Sequence, residues 1–136
     1  MTGVQTCALP IFQPALHRGE VVICDRFLDS TRVYQGVGRL LDPVAVETIN
    51  NLAIGNCLPD LTVLIDLDPQ VGLERARGRE LFDRMENQDL GFYQRVRQGY
   101  LELARNEPLR VKVVDGEQPL EAVADQIWRL VQDVLR

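Results

Sequence analysis

Three short runs of the sequence lack the polar alternation of a half-wet strand. They are "EVVIC" at Glu20–Cys24, "LTVLIDL" at Leu61–Leu67 and "VKVVD" at Val111–Asp115. A strand covered on both faces reads as a near-continuous Val, Ile and Leu run, which is the signature of a parallel sheet. Parallel strands need long crossovers, and the intervening sequence supplies helical ones. Asp42-Pro43 offers an N-cap and a proline at the first helical position for "VAVETINNLAI", which Gly55 closes. Asp68-Pro69 repeats the device for "QVGLERAR". Phe92, Val96, Tyr100 and Leu103 fall on one face of a further helix, and Pro119 opens a last one. Its inner stripe is Leu120, Val123, Ile127, Leu130, Val131 and Val134. Gln13–His17 reads as the tail of a helix stopped near Gly19. Strand and helix alternate, so the expected class is α/β with a parallel sheet flanked by helices.

The chain has 136 residues, enough for one domain that buries roughly two-thirds of its unfolded surface. A net charge of -5 speaks against a nucleic-acid partner, which asks for a surplus of Lys and Arg. No apolar run approaches the ~20 residues that span a bilayer, so no membrane role is expected. The 3 cysteines form no disulfide framework or zinc spacing, which suits a reducing cytoplasm. Cys24 and Cys57 are expected to be core thiols. His17 is the single histidine and reads as solvated.

The opening "MTGVQTCALPIF" shows neither helical nor strand period. Met1–Ile11 is identified as one reading frame of a common sequencing-library adapter, read from a GTG start. Residues 1–12 are therefore expected to be non-native and are set aside from fold reasoning.

Ligands of open parallel sheets sit beyond the carboxyl ends of the strands. There the first run breaks into "DRFLDSTRVYQG". Arg26 offers a planar fork suited to two phosphate oxygens, and Asp25 can hold a metal-bound water. Ser30 and Thr31 add hydroxyls, and Tyr34 and Gln35 follow one helical turn later, able to face the same pocket. The plain alternative is an N-capping Ser30 and a core Tyr34.

Taken whole, "DRFLDSTRVYQGVGR", "LPDLTVLIDLDPQVGLERAR", "DRMEN", "FYQRVRQGYLELA" and "VVDGEQPLEAV" closely resemble bacterial thymidylate kinases from about Pro14 onward. The resemblance implies transfer of the γ-phosphoryl of ATP to dTMP, with Mg2+, giving dTDP. It implies that Arg26 contacts the dTMP phosphate and that Asp25 positions the metal, through water, at the strand end. Thr31 and Gln35 match positions that bond the thymine edge, Ser30 shares their wall, and Tyr34 matches the residue packed on the deoxyribose. The stretch at about 78–89 falls where the family places a LID over the ATP phosphates. Arg77 and Arg79 are the expected catalytic clamps there, with Arg75 and Arg84 structural, paired with Glu74 or Glu86. "DGEQP" at Asp115–Pro119 resembles the loop that edges the adenine, which puts Gly116, Glu117 and Gln118 on the ATP side. Asp66 and Asp68 attract attention together, although a helix cap accounts for Asp68. A homodimer is implied for the intact enzyme.

The sequence contains no G-x-x-x-x-G-K-[ST]. The family places that phosphate-cradling loop and a second strand upstream, on the order of 70 residues in two βα units. Residues 13–136 are thus expected to be the C-terminal part of a nucleoside monophosphate kinase domain, inactive as written. The family strand order of 2-3-1-4-5 would leave Val21–Cys24 separated from Val63–Leu67 by an empty slot about two strand spacings of 4.8 Å wide, which must be filled or collapse. The alternatives are another deoxynucleotide or deoxynucleoside kinase, or a non-catalytic nucleotide-binding module.

Overall fold

The computed structural model describes residues 8–55, 57–76 and 89–136. These divide into two compact units between Leu58 and Pro59. The expected LID and the arginines at 77, 79 and 84 lie outside the described residues.

In the first unit, α1 (Ala8–His17) is followed by α2 (Leu28–Thr31), a π-helix (Arg32–Gly38) and α3 (Pro43–Ile54). Helix α1 is longer than its predicted tail, because residues 8–12 belong to it. Pro10 falls in its first turn, where a missing N–H costs nothing. Pro14 sits inside and offers no N–H to the carbonyl four residues back. The helix closes at Gly19, whose φ of 75° and amide bond to Leu16 O (2.9 Å) need a residue without Cβ strain. Phe12 sets its ring 5.8 Å from that of Phe27.

The predicted strand Glu20–Cys24 does not form. The segment enters no ladder among the described residues, Ile23 is 92% exposed, and Cys24 is exposed rather than a core thiol. A strand exists only where a neighbour takes up its amides and carbonyls, so β-propensity alone cannot make one. Cys57 is half-buried. Helix α3 starts as the sequence predicts. Asp42 accepts from the Val44 amide at 3.0 Å, Pro43 occupies the first turn, and Gly55 ends the helix at φ 54°.

The second unit holds a two-stranded parallel sheet, β1 (Thr62–Asp66) and β2 (Val111–Asp115), paired from Thr62↔Val111 to Asp66↔Asp115. Helix α4 (Pro69–Ala76) follows β1, α5 (Leu90–Asn106) packs on both strands, and α6 (Leu120–Val134) packs on β2. The core is Phe92, Val96, Ala104, Val111, Val114 and Val123, with Val114 only 1% exposed. Tyr100 and Leu103 of the predicted α5 stripe are half-buried. On α6, Val123 is buried and Ile127, Leu130 and Val131 are half-buried, but Leu120 and Val134 are exposed. Fifteen helical residues span about 22 Å and a five-residue strand about 17 Å, so the strand is too short to cover the whole stripe. Trp128 lies on the outer face of α6, 57% exposed.

Below the strands' amino ends, the buried Arg110 donates Nε to Glu107 Oε2 (2.7 Å) and Nη1 to Thr62 Oγ1 (2.9 Å). One guanidinium thereby joins the end of α5 to both strands. Removing one partner of a largely buried pair strands the other. Arg110→Ala is expected to lower the unfolding free energy by about 2–4 kcal/mol in urea titrations. Truncating the neighbouring, exposed Leu109 to Ala should stay within about 0.5 kcal/mol.

Candidate functional site

Asp25 and Arg26 sit in the turn where the first apolar run ends, both exposed. Arg26 has φ 63°, an uncommon value for a side chain with a Cβ, and such strained residues gather at functional sites. Cys24 Sγ donates to its carbonyl at 3.3 Å. The turn brings the Arg26 guanidinium to 5.0 Å from the centroid of the Tyr34 ring, a cation–π arrangement. Ser30 and Thr31 lie half-buried in α2, and Tyr34 and Gln35 half-buried in the π-helix that continues it. Ser30 does not cap α2: Phe27 holds that place, and the Ser30 amide donates to Phe27 O at 3.1 Å. Predicted residues 26 and 34 are therefore neighbours, and 30, 31 and 35 ride on the same short helical segment.

That segment is held from α3. Arg32 Nε donates to Glu47 Oε2 at 2.7 Å, a second guanidinium N–H meets the other carboxylate oxygen, and Nη1 lies 3.7 Å from the buried Asp29. Asn50 Nδ2 donates to Leu28 O at 3.1 Å. The Arg32 hydrogen bond, more than any other contact, holds the Glu47 carboxyl below the usual glutamate range. Sequence reading passed over both Arg32 and Glu47. They stand 15 positions apart, and although Arg32 lies within the run that carries the family resemblance, nothing in the sequence pairs it with Glu47.

In the second unit the carboxyl ends of the strands carry a different constellation. Arg97, from α5, donates Nε and Nη2 to the two oxygens of Asp66 at 2.8 and 2.9 Å, and Nη1 to Asp68 at 3.3 Å. The Asp66 bond is the main reason its guanidinium pKa is raised. Asp68 still caps α4 through the Gln70 amide at 2.8 Å, so the cap expected from sequence is present and carries a second partner. Beside it lies an open groove of about 240 Å³ lined by Asp68, Pro69, Gln94, Arg97, Gln98 and Leu101. Arg75 donates to Gly116 O at 3.1 Å, so it is held by a turn carbonyl rather than by the expected Glu74.

Gly116 is buried and its amide donates to Asp66 O at 2.7 Å. A Cβ there would stand 2.8 Å from that carbonyl oxygen and 2.9 Å from Ile65 Cγ2, so the close approach requires glycine. Asp115 then shapes the turn, accepting from the Glu117 amide at 2.9 Å and from Gln118 Nε2 at 3.3 Å. Gln118 Oε1 accepts from Gln126 Nε2 at 2.7 Å. The side chains of Glu117 and Gln118 are exposed.

Arg77 and Arg79 are outside the described residues. Among the described residues no three acidic, Cys or His side chains gather as a metal cage would require. Asp25 alone fits the lesser part of holding water on an ion whose other ligands come from phosphates.

Comparison with known proteins gives a family for the chain as a whole. A family model described as thymidylate kinase matches residues 4–127. A thymidylate kinase of Alcanivorax borkumensis is 48% identical over 122 residues, covering 90% of this chain and 59% of that protein. One from Symbiobacterium thermophilum is 50% identical over 123 residues, covering 90% and 57%. A third, from Syntrophotalea carbinolica, is 45% identical over 131 residues, covering 92% and 61%. The chain spans about three-fifths of the length of these curated relatives.

Two outcomes follow from this geometry. Because the folded pKa of Glu47 is depressed, its pair with Arg32 contributes stability above the ordinary glutamate value of about 4.3. That contribution disappears as pH falls through the lower folded value. Thermal melts of Glu47→Gln should thus show a shallower loss of stability than wild type below about pH 4.3. Gly116→Ala should pry the turn from β1, costing about 1–3 kcal/mol in the second unit by denaturant titration.

Proposed function

The chain belongs to the thymidylate kinase family, and from that premise we propose that it carries the dTMP-gripping and LID-side parts of an enzyme phosphorylating dTMP from ATP. The observation that carries this reading is the Arg26 turn, which presents a guanidinium beside the Tyr34 ring. A nucleoside monophosphate offers matching chemistry: phosphate for the planar fork, sugar and base for the ring and the polar edges.

In this reading Arg26 binds the 5'-phosphate of dTMP, and Tyr34 packs on the deoxyribose. Thr31 and Gln35 bond the thymine edge, with Ser30 in the same wall. Mg2+, when bound with ATP, neutralises phosphate charge, and Asp25 would hold water of its shell. Arg77 and Arg79 clamp the transferred group, where cationic contacts reach ~10³–10⁵ in rate. Gly116, Glu117 and Gln118 form the ATP-side loop, whose backbone is fixed by Asp66 O and Arg75. In-line transfer rests on placement and charge, which the backbone amides and lysine of a P-loop supply. The sequence given has no such motif, so by itself it transfers no phosphoryl. The free thiols of Cys24 and Cys57 suit a reducing cytoplasm. For the intact enzyme a homodimer through paired helices is supported by the exposed Val44, Ile49 and Leu52 of α3.

The test is dTMP binding to the 136-residue chain by NMR titration. Saturable binding is expected, weakened at least tenfold by Arg26→Gln, which is about 1.4 kcal/mol. Undiminished binding in that variant, or dTMP-dependent ADP release by the purified chain, would overturn the corresponding part of the reading.

A further inference from the structure

The helical segment from Leu28 to Gly38 changes type at a single residue. Helix α2 ends at Thr31 and the π-helix begins at Arg32. π-Turns close i→i+5 bonds of poor geometry, occur as short pieces and cluster at functional sites. Here the Arg39 amide bonds Tyr34 O at 3.0 Å, an i→i+5 closure, and past the helix end the Leu41 amide reaches back six residues to Gln35 O at 3.2 Å. The two carbonyls that receive these bonds thus belong to residues 34 and 35. An unfavourable register persists only where its surroundings over-determine it. At the seam, Arg32 joins α2 (Asp29), the π-helix and α3 (Glu47) through one guanidinium. Asn50, nearly one turn past Glu47, holds the Leu28 carbonyl, and the next residue, Val33, is 2% exposed. Packing at Val33 fixes depth, and the forked ion pair, reaching sideways to α3, resists rotation about the helix axis.

We propose that Arg32 is a positioning residue whose ion pair with Glu47 holds the π-helical register on which the placement of Tyr34 and Gln35 depends. The inference rests on the dTMP reading above and adds to it that base discrimination is set by a side chain not needed for nucleotide contact. Were the pair lost, the segment could continue as α-helix from Thr31. Each residue after Arg32 would then be turned farther round the axis, carrying 34 and 35 away from Arg26. Phosphate binding through Arg26, which precedes the seam, would persist.

The experiment uses the whole chain with Arg32→Met, Arg32→Lys and Glu47→Gln. Met keeps the apolar stem without the charge, and Lys keeps the charge without the fork. In Arg32→Met and Glu47→Gln, amide exchange at Arg39 and Leu41 is expected to speed up at least tenfold. The Gly55 amide, bonded to Asn51 O at the far end of α3, should stay within twofold. By NMR titration, the preference for dTMP over dCMP should fall at least fivefold, with dCMP affinity changed less than twofold. Arg32→Lys should fall between. Unchanged exchange at Arg39 and Leu41 in both variants overturns the register, whether or not nucleotide binds. Equal weakening of dTMP and dCMP would make Arg32 a merely structural residue and overturn the specificity claim. If the wild-type chain shows no preference for dTMP, the dTMP reading and that claim fall together, while exchange still decides the register.

Discussion

A parallel ladder of five residue pairs decides where the polar groups of the second unit gather. Its register sets Asp66 directly against Asp115, two carboxylates at one rim. Like charges so placed repel, and the structure answers each in a different way. Arg97 reaches in from α5 to take both oxygens of Asp66, whereas Asp115 spends its oxygens on the turn it begins. Gly116 can then settle on the Asp66 carbonyl. The catalytically suggestive rim is therefore also a solution to a local electrostatic problem, and β1, α4, α5 and the turn after β2 are knitted together by it.

Among its described residues the first unit has no ladder to lean on, and its order comes from side chains instead. Phe12 meets Phe27, Asn50 holds a carbonyl of α2, and Arg32 links three segments. Strain is concentrated between residues 26 and 40, at the left-handed Arg26, the π-turns and the left-handed Leu40. Such geometry is disfavoured locally, so tertiary contacts must hold it.

This contrast explains what could be read beforehand. The Asp42-Pro43 and Asp68-Pro69 starts depend on neighbours in sequence and stand as read, and the Val111–Asp115 strand stands as read because β1 supplies its partner. The pairing of the last two strands was legible through family order. Illegible features depend on partners distant in the chain. Arg97 and Asp66 are 31 positions apart, and the π-helix has no compositional mark of its own. Two expectations failed for one reason, that local preference was asked to decide a tertiary matter. "EVVIC" has strand composition but no partner among the described residues, and residues 8–12 lack period yet continue into a helix. Of the candidate site, Arg26 and Tyr34 are brought together, whereas the arginines at 77 and 79 lie beyond the described residues.

The position of Trp128 has a spectroscopic corollary. It is the single indole in the chain, and it stands on the outward side of α6 in the second unit. Its emission therefore reports the solvent around that helix. Red-shifted fluorescence from the native chain would be ordinary here rather than a sign of denaturation. Optical signals from the first unit come from tyrosine, and Tyr34, under a guanidinium, is the chromophore that reports a change at the Arg26 turn.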